Sequence, residues 1–365
     1  MTDREYMQRA IDLAVKGCGH TNPNPMVGAV IVKDGKIVAE GYHEKYGDLH
    51  AERNALTKAD AAGINVEGAT MYVTLEPCCH YGKQPPCTEA IIEHKIAKVV
   101  VGSNDPNPQV AGKGFKILRE AGIEVVTEFM KEECDAINTV FFHYIQTGLP
   151  YVVMKYAMTA DGKIATRTGA AKWITGEAAR KRVHEDRNRY ASILVGIGTV
   201  LSDDPLLTSR IDGAKNPTRI VVDSHLRIPL DCKIVQTANE VPTIIATSSE
   251  NIEKENQLIE AGCEILSVSE KDGRINLREL VKYLGEMKID SLYIEGGAQI
   301  HWAALNSRIV DKVHTYIAPK LFGGNDAPSP IGGLGCDVPD NGVMLTQPQI
   351  TLYGDDILLE SEVIK

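Results

Sequence analysis

The sequence contains no run of about 18 apolar residues, the length a helix needs to cross a bilayer. Its first residues, Met1-Thr2-Asp3-Arg4-Glu5, offer no apolar stretch of the kind a secretory leader requires. Positive charge is in deficit. There are 39 Lys and Arg against 49 Asp and Glu, a net charge of −10, which disfavours bulk electrostatic binding of nucleic acid. No internal repeat or low-complexity tract is present. The 32 Gly and 17 Pro follow no period, which excludes a collagen-like chain. These absences point to a cytoplasmic protein whose partners include neither membrane nor nucleic acid.

What is present fits a folded enzyme. Hydrophobic residues make up 43% of the chain, enough to fill a core and exclude disorder. A length of 365 residues suggests two domains. The eight cysteines are expected to be reduced in this setting, and three of them within ten positions, Cys78, Cys79 and Cys87, suggest a metal site.

Residues 1–147 alternate helical and strand-like segments, an α/β pattern with helices packed on a mixed sheet. Arg4 to Lys16, Ala51 to Ala62, Thr88 to His94, Gly114 to Ala121 and Glu132 to Gln146 read as helices, with Thr88 as a cap. Val27 to Val32 and Lys36 to Gly41 read as strands joined at the Asp34-Gly35 turn, with further strands at Thr70 to Leu75, Lys98 to Val101 and Ile123 to Val126. The stop at Gly148-Leu149-Pro150 marks a boundary. A second α/β pattern runs over 150–365. Its strand-like segments include Tyr151 to Tyr156, Ser192 to Val195, Arg219 to Val222, Ser291 to Ile294 and Val313 to Ile317, and its helices include Gly176 to Arg189 and Gln299 to Asn306.

The strongest chemical signal is His50-Ala51-Glu52 followed by Glu76-Pro77-Cys78 and, nine positions after Cys78, Cys87. One His and two Cys suit Zn²⁺, and three ligands with a non-ligand Glu beside them favour a catalytic site, in which one position stays open for water. The pattern matches the H-x-E … P-C-x-x-C signature of zinc deaminases, where the Glu moves protons. It departs in spacing, because the second cysteine of that signature follows at three. Gly82, Pro85 and Pro86 in the intervening loop offer a way to turn the chain back. Both His50 and Cys87 fall at predicted helix starts, where a thiolate is favoured. Glu52 is placed to take a proton from water and return it to a departing amine. Cys79 reads as a bystander, and His80 as a fourth ligand would instead make the site structural.

With these motifs the sequence resembles, along essentially its whole length, the bifunctional deaminase–reductases of riboflavin biosynthesis, the RibD/RibG type. The resemblance is carried in the first half by Asn24-Pro25-Met26-Val27-Gly28, His50-Ala51-Glu52, Thr74 to Cys78, Gly82-Lys83, Pro85-Pro86-Cys87 and Asp105-Pro106-Asn107-Pro108. In the second half it is carried by Asp161 to Ala165, Trp173-Ile174-Thr175, Val195 to Val200, Asp203 to Arg210 and Glu295-Gly296-Gly297. It implies a cytidine-deaminase-like three-layer domain followed by a dihydrofolate-reductase-like α/β domain, with one Zn²⁺ per chain, NADPH as hydride donor, and a homo-oligomer built through the second domain. The implied substrate is a small phosphorylated pyrimidine, 2,5-diamino-6-(5-phosphoribosylamino)pyrimidin-4(3H)-one. It would be deaminated and then reduced to 5-amino-6-(5-phosphoribitylamino)uracil. By the same resemblance His50, Cys78 and Cys87 are zinc ligands and Glu52 the proton shuttle, while Asn24, His43, Lys83 and Asn107 bind the pyrimidine phosphate.

The reductase half is less explicit. Gly196-Ile197-Gly198 after a strand opens like a dinucleotide fingerprint, but Leu201 stands where the third glycine belongs. Glu295-Gly296-Gly297 is a second glycine turn after a strand, able to present amides to a pyrophosphate. The resemblance implies that Ala157, Trp173, Thr199, Asp203, Ser224 and Gly297 contact the cofactor. It likewise implies that Lys155, Arg187, Leu207, Arg210 and Glu295 contact substrate, with the two arginines suited to bidentate phosphate binding. Asp161 lines the same cleft. Ala171 replaces a serine common in the family. Two other readings remain open from the residues: a nucleoside or nucleic-acid deaminase fused to an unrelated domain, and a non-catalytic zinc-stabilised interaction module.

Overall fold

The computed structural model describes residues 1–365. The chain forms two compact units, Met1–Gly148 and Leu149–Lys365. No helix is long and apolar enough to cross a membrane.

In the first unit, strands β1 (Gly28–Lys33), β2 (Lys36–Tyr42), β3 (Thr70–Leu75), β4 (Lys98–Ser103) and β5 (Glu124–Val126) form a sheet of order β2-β1-β3-β4-β5. The sheet is mixed: β1 runs antiparallel to β2 and β3, whereas β3, β4 and β5 are parallel. Helices α1 (Asp3–Ala14), α2 (Ala51–Ala61), α3 (Cys87–Glu93), α4 (Lys113–Glu120), α5 (Lys131–Ile137) and α6 (Thr139–Thr147) complete the unit. The period of two along β1 divides its core. Val30 and Val32 pack with Tyr6, Met7 and Ala10 of α1, while Ala29 and Ile31 pack with Ala51, Ala55 and Leu56 of α2. Helices therefore cover both faces, which is why the strands read as continuous apolar runs. Thr2 and Glu5 close a capping box ahead of α1.

In the second unit, β6 (Tyr151–Thr159), β7 (Ser192–Gly196), β8 (Thr218–Val222), β9 (Thr243–Thr247) and β10 (Glu264–Ser267) belong to a nine-stranded sheet. A small hairpin of β11 (Glu270–Lys271) and β12 (Arg274–Ile275) stands apart from it. The sheet continues with β13 (Ser291–Gly296), β14 (Lys312–Ala318), β15 (Gln349–Tyr353) and β16 (Asp356–Glu362), in the order β10-β9-β8-β7-β13-β6-β14-β16-β15. The first seven strands in that order are parallel, and β16 and β15 are antiparallel additions at one edge. Among its helices are α7 (Glu177–Arg189), α8 (Ile197–Asp203), α9 (Lys233–Gln236), α10 (Ile252–Glu260), α11 (Leu277–Glu286) and α12 (Ala298–Asn306).

Several local expectations fail for identifiable reasons. The single helix expected over Glu132 to Gln146 breaks at Asn138. The amide of Asn138 accepts from Met26 N at 2.8 Å and donates to Met26 O at 2.9 Å, so the side chain serves the neighbouring segment. Thr88 lies inside α3, and Pro86 holds the cap position. The Gly196-Ile197-Gly198 turn leads into the short helix α8, and the β15–β16 hairpin has no counterpart in the sequence reading.

Candidate active sites of the two units

In the first unit the fold gathers His50, Cys78 and Cys87 at element ends. His50 caps α2, Cys78 follows β3, and Cys87 begins α3. Their ligand atoms all lie within 4.8 Å of one another, and the cluster closes on these three residues, without His80 or Cys79. The His50 Nδ1 is 3.4 Å from the Cys78 sulfur and 3.6 Å from that of Cys87. A soft imidazole–thiolate set converging on one point fits Zn²⁺ and leaves a fourth position. The long loop between the cysteines is braced from outside. Arg53 donates to the carbonyls of Pro85 and Pro86 at 3.0 and 2.6 Å, and Gln84 Nε2 donates to Gly47 O at 3.0 Å. The prolines have no N–H to give, so their carbonyls carry the attachment, and Cys87 arrives beside Cys78 despite the nine-residue spacing.

The electrostatics single out two groups. The Cys78 thiol is lowered to about 4, first by the hydrogen bond from the Cys87 thiol and then by His50, and its sulfur also accepts the Cys87 amide N–H at 3.3 Å. Glu52, 3% exposed, is raised to about 7 by burial and by the neighbouring Cys78 charge. Burial also lowers His43, keeping it neutral. Its Nδ1 lies 3.0 Å from the Leu49 carbonyl, which can only accept, so Nδ1 carries the proton. The other nitrogen then accepts from Asn24 Nδ2 at 3.2 Å.

A cavity of about 290 Å³ opens over this centre. Asn24, His43, Lys83 and Asn107 all line it together with His50, Glu52 and Cys78. The Lys83 ammonium sits 3.9 Å above the Tyr46 ring, a cation–π contact that holds it at the rim. Asp105 also lines this cavity, and burial raises it to about 6. In the sequence Asp105 stands out only as part of the Asp105-Pro106-Asn107-Pro108 motif. An Asp before proline reads as a turn residue, and only the fold shows that it is buried.

In the second unit a cavity of about 790 Å³ lies at the carboxyl ends of β7, β8 and β13. Thr199, Asp203, Ser224, Glu295 and Gly297 line it. Gly297 has φ +92°, and a Cβ on Gly296 would meet the Thr199 hydroxyl at 2.9 Å. Gly296 thus leaves no room for a side chain beside Thr199, and the positive φ of Gly297 favours glycine. Beside it, on one face of the sheet under α7, lies a row of polar side chains. Arg187 donates to both oxygens of Glu295, at 2.6 and 2.8 Å, and to Thr208 O at 3.0 Å. Burial lowers Lys155, against the charge of Glu295.

Other expected reductase residues stand elsewhere. The Glu295 carboxylate occupies the Nε–Nη2 edge of Arg187. Leu207 packs in the core with Ile193, Val195 and Val221, leaving its backbone as the group that can meet a ligand. Trp173 is 61% exposed with the Arg180 guanidinium 4.6 Å from its ring. Ala157 is half-buried on β6, and Arg210 is exposed. Trp173, Ala157, Lys155, Arg187 and Arg210 do not line the large cavity. Asp161 does not line it either. Its carboxylate accepts the amides of Phe322 and Gly323 and the Thr159 hydroxyl, which lowers it to about 2 and ties two loops together.

Comparison with known proteins places both halves together. Residues 1–103 match the model of the cytidine and deoxycytidylate deaminase zinc-binding region, and residues 150–359 match that of the RibD C-terminal domain. The riboflavin biosynthesis protein RibD of Actinobacillus pleuropneumoniae is 57% identical over 100% of this chain and 96% of its own length. The chain belongs to the RibD family. RibD of Escherichia coli is 41% identical over 88% of this chain and 89% of its own. Among solved structures, a Thermotoga maritima protein described as a diaminohydroxyphosphoribosylaminopyrimidine deaminase/5-amino-6-(5-phosphoribosylamino)uracil reductase is similar, with TM-score 0.88 and 38% identity. The match covers 99% of this chain and 98% of that one. Acinetobacter baumannii RibD gives TM-score 0.88 and 35% identity over 100% and 99%. RibD membership joins a zinc-binding deaminase domain to a reductase domain in one chain. It sets aside both a deaminase fused to an unrelated domain and a non-catalytic zinc module.

Proposed function

We propose that this chain catalyses two consecutive steps of riboflavin biosynthesis. Residues 1–147 deaminate 2,5-diamino-6-(5-phosphoribosylamino)pyrimidin-4(3H)-one, and residues 150–365 use NADPH to reduce the ribosyl chain of the product to ribityl. The observation that carries this reading is the three-ligand cluster with a buried, proton-ready Glu52 in the cavity lined by Asn24, His43, Lys83 and Asn107. When bound by His50, Cys78 and Cys87, Zn²⁺ supplies a polarised water at neutral pH. Glu52 would take a proton from water activated there and return it to the departing amine. A carboxyl raised to about 7 can do both, since its two protonation states are nearly balanced near neutrality. Lys83 provides the cation for the substrate phosphate. Asn24 is oriented through His43, and Asn107 lines the same pocket.

In the second unit NADPH supplies the hydride. Gly296 and Gly297 admit its pyrophosphate close to backbone amides, with Thr199, Asp203 and Ser224 along the same cavity. Lys155, Arg187 and Glu295 form the polar wall against the substrate, with Arg210 left for its phosphate and Leu207 contributing backbone. Ala157 and Trp173, which lie outside that cavity, are cofactor contacts by the family resemblance alone. The enzyme acts in the cytoplasm on a small phosphorylated pyrimidine, with no nucleic-acid or membrane partner. It works as a homo-oligomer built through the second unit; exposed Ile350 and Leu352 on the edge strand β15 support that assembly. A coupled assay with zinc-loaded protein, the diaminopyrimidine phosphate and NADPH tests this reading. Ammonia release and NADPH oxidation should reach equal amounts, with ammonia appearing first. NADPH oxidation without ammonia would contradict it.

A further inference from the structure

Glu76 is the last residue before Pro77-Cys78, and its side chain is buried, with the residue 3% exposed. Its amide donates to Ser103 O at 2.9 Å, which fixes it at the ends of β3 and β4. Its carboxylate is held by backbone amides. One oxygen accepts from Gly114 N at 3.1 Å. The other accepts from Gly112 N at 3.1 Å and from Asp105 N at 3.4 Å. Two of these donors lie at the start of α4, where amides lack intrahelical partners and an anion is favoured. The third lies at the far end of the irregular segment 104–112. One buried carboxylate therefore clamps both ends of the segment that carries Asp105 and Asn107 into the deaminase cavity.

The clamp leads directly to the pocket wall. Asp105 Oδ1 accepts Asn107 N at 2.8 Å, so the placement of Asp105 sets that of Asn107. Gly114 completes the dock, since a Cβ there would meet Pro77 O at 2.4 Å and the Glu76 carboxylate at 3.2 Å. A glutamine at position 76 keeps the size but has one acceptor oxygen, and it turns an NH₂ toward an N–H that has no other partner.

We propose that Glu76 is a positioning residue for substrate recognition in the deaminase. It acts through the segment 104–112 to hold Asp105 and Asn107 against the pyrimidine phosphate, and it takes no part in the proton transfers. This rests on the deaminase reading above.

The test is Glu76→Gln in the full zinc-loaded chain. KM for the diaminopyrimidine phosphate should rise about ten-fold, the scale of one lost charged hydrogen bond, with kcat within about two-fold. Zinc content and NADPH-dependent reduction of supplied deaminated intermediate should not change. Amide hydrogen exchange in segment 104–114, followed by mass spectrometry without substrate, should accelerate. An unchanged KM in folded, zinc-loaded protein would overturn the proposal, and so would a fall in kcat accompanied by zinc loss, which would place the role of Glu76 at Cys78. Should the Gln variant not fold, Gly114→Ala disturbs the same dock from the other side and must give the same KM signature; its absence overturns the proposal. A wild-type chain that releases no ammonia defeats the deaminase reading instead, and the exchange measurement still decides whether Glu76 holds the segment.

Discussion

The two units solve different chemical problems, and their sites are written differently. The deaminase site is made of ligands and a proton carrier, each placed at the end of a helix or strand within a short motif. The candidate reductase site is made of glycine turns after β7 and β13 and a polar row of Lys155 on β6 and Glu295 on β13, with Arg187 of α7 laid across it. Metal binding needs particular donor atoms, which leave a spacing pattern in the chain. Hydride transfer needs orientation, and many residue types can provide it. The difference teaches that a motif marks chemistry done by the protein's own atoms more clearly than chemistry done by a cofactor.

The sharpest way to separate the units is to remove one zinc ligand. Cys87→Ala should lose zinc and deamination below detection, while NADPH-dependent reduction of supplied intermediate persists, as measured by metal analysis and the two assays in parallel. Chelation should likewise stop deamination without unfolding the first unit, because its cores around Ala29, Ile31 and Val30 pack independently of the three ligands. A loss of circular dichroism on chelation would show the metal to be structural.

The reductase should respond most to a broken buried pair. Glu295→Gln leaves Arg187, 15% exposed at its side chain, without its bidentate partner and removes the charge facing Lys155. We expect a loss of about 3–5 kcal/mol in the stability of the second unit, read by denaturant unfolding, with the deaminase unaffected. A change below about 1 kcal/mol would mean that water already solvates the pair.

A smaller effect concerns pH. His314 lies 3.4 Å from Asp186 and 3.2 Å from Glu360. Burial alone would lower His314, but the two carboxylates outweigh it and raise it above its ordinary 6.5, while Glu360 is lowered to about 2 by His314. Asp186 also faces Arg182 at 3.0 Å, Glu360 faces Lys312 at 3.5 Å, and the Tyr293 ring lies edge-on to the imidazole. A histidine held protonated in the fold contributes fully below its unfolded value of 6.5 and loses that contribution as pH rises through its folded value. Glu360 contributes above its unfolded value of 4.5 and loses it as pH falls towards about 2. The second unit should therefore be steadied most by this pair between 4.5 and 6.5 and weaken on the alkaline side. His314→Gln should flatten that alkaline slope in thermal melts taken across pH.

Much of the deaminase was legible in the sequence because its residues act where regular elements end. His50, Cys78 and Cys87 converge as the spacing suggested, and Asn24, His43, Lys83 and Asn107 share their cavity. Glu76 and Asp105 were not legible as site residues, because a buried carboxylate serving backbone amides looks like any polar residue in a turn. Asn138 broke a helix for the same kind of reason, by pairing with Met26 across the unit. In the reductase, α/β alternation was readable, but the union of Arg187 with Glu295 depends on a contact between α7 and β13 that no local pattern encodes. Leu207 shows the converse, since a residue within a specific motif has its side chain in the core.

The most direct test of the account is Glu52→Gln with both activities measured on one preparation. Zinc should remain bound, ammonia release should fall about 10²–10⁴-fold, and reduction of supplied deaminated intermediate should proceed at the wild-type rate. Deamination retained at the wild-type rate in the zinc-loaded variant would contradict the proton role of Glu52. Loss of reduction in the folded variant would contradict the independence of the two sites.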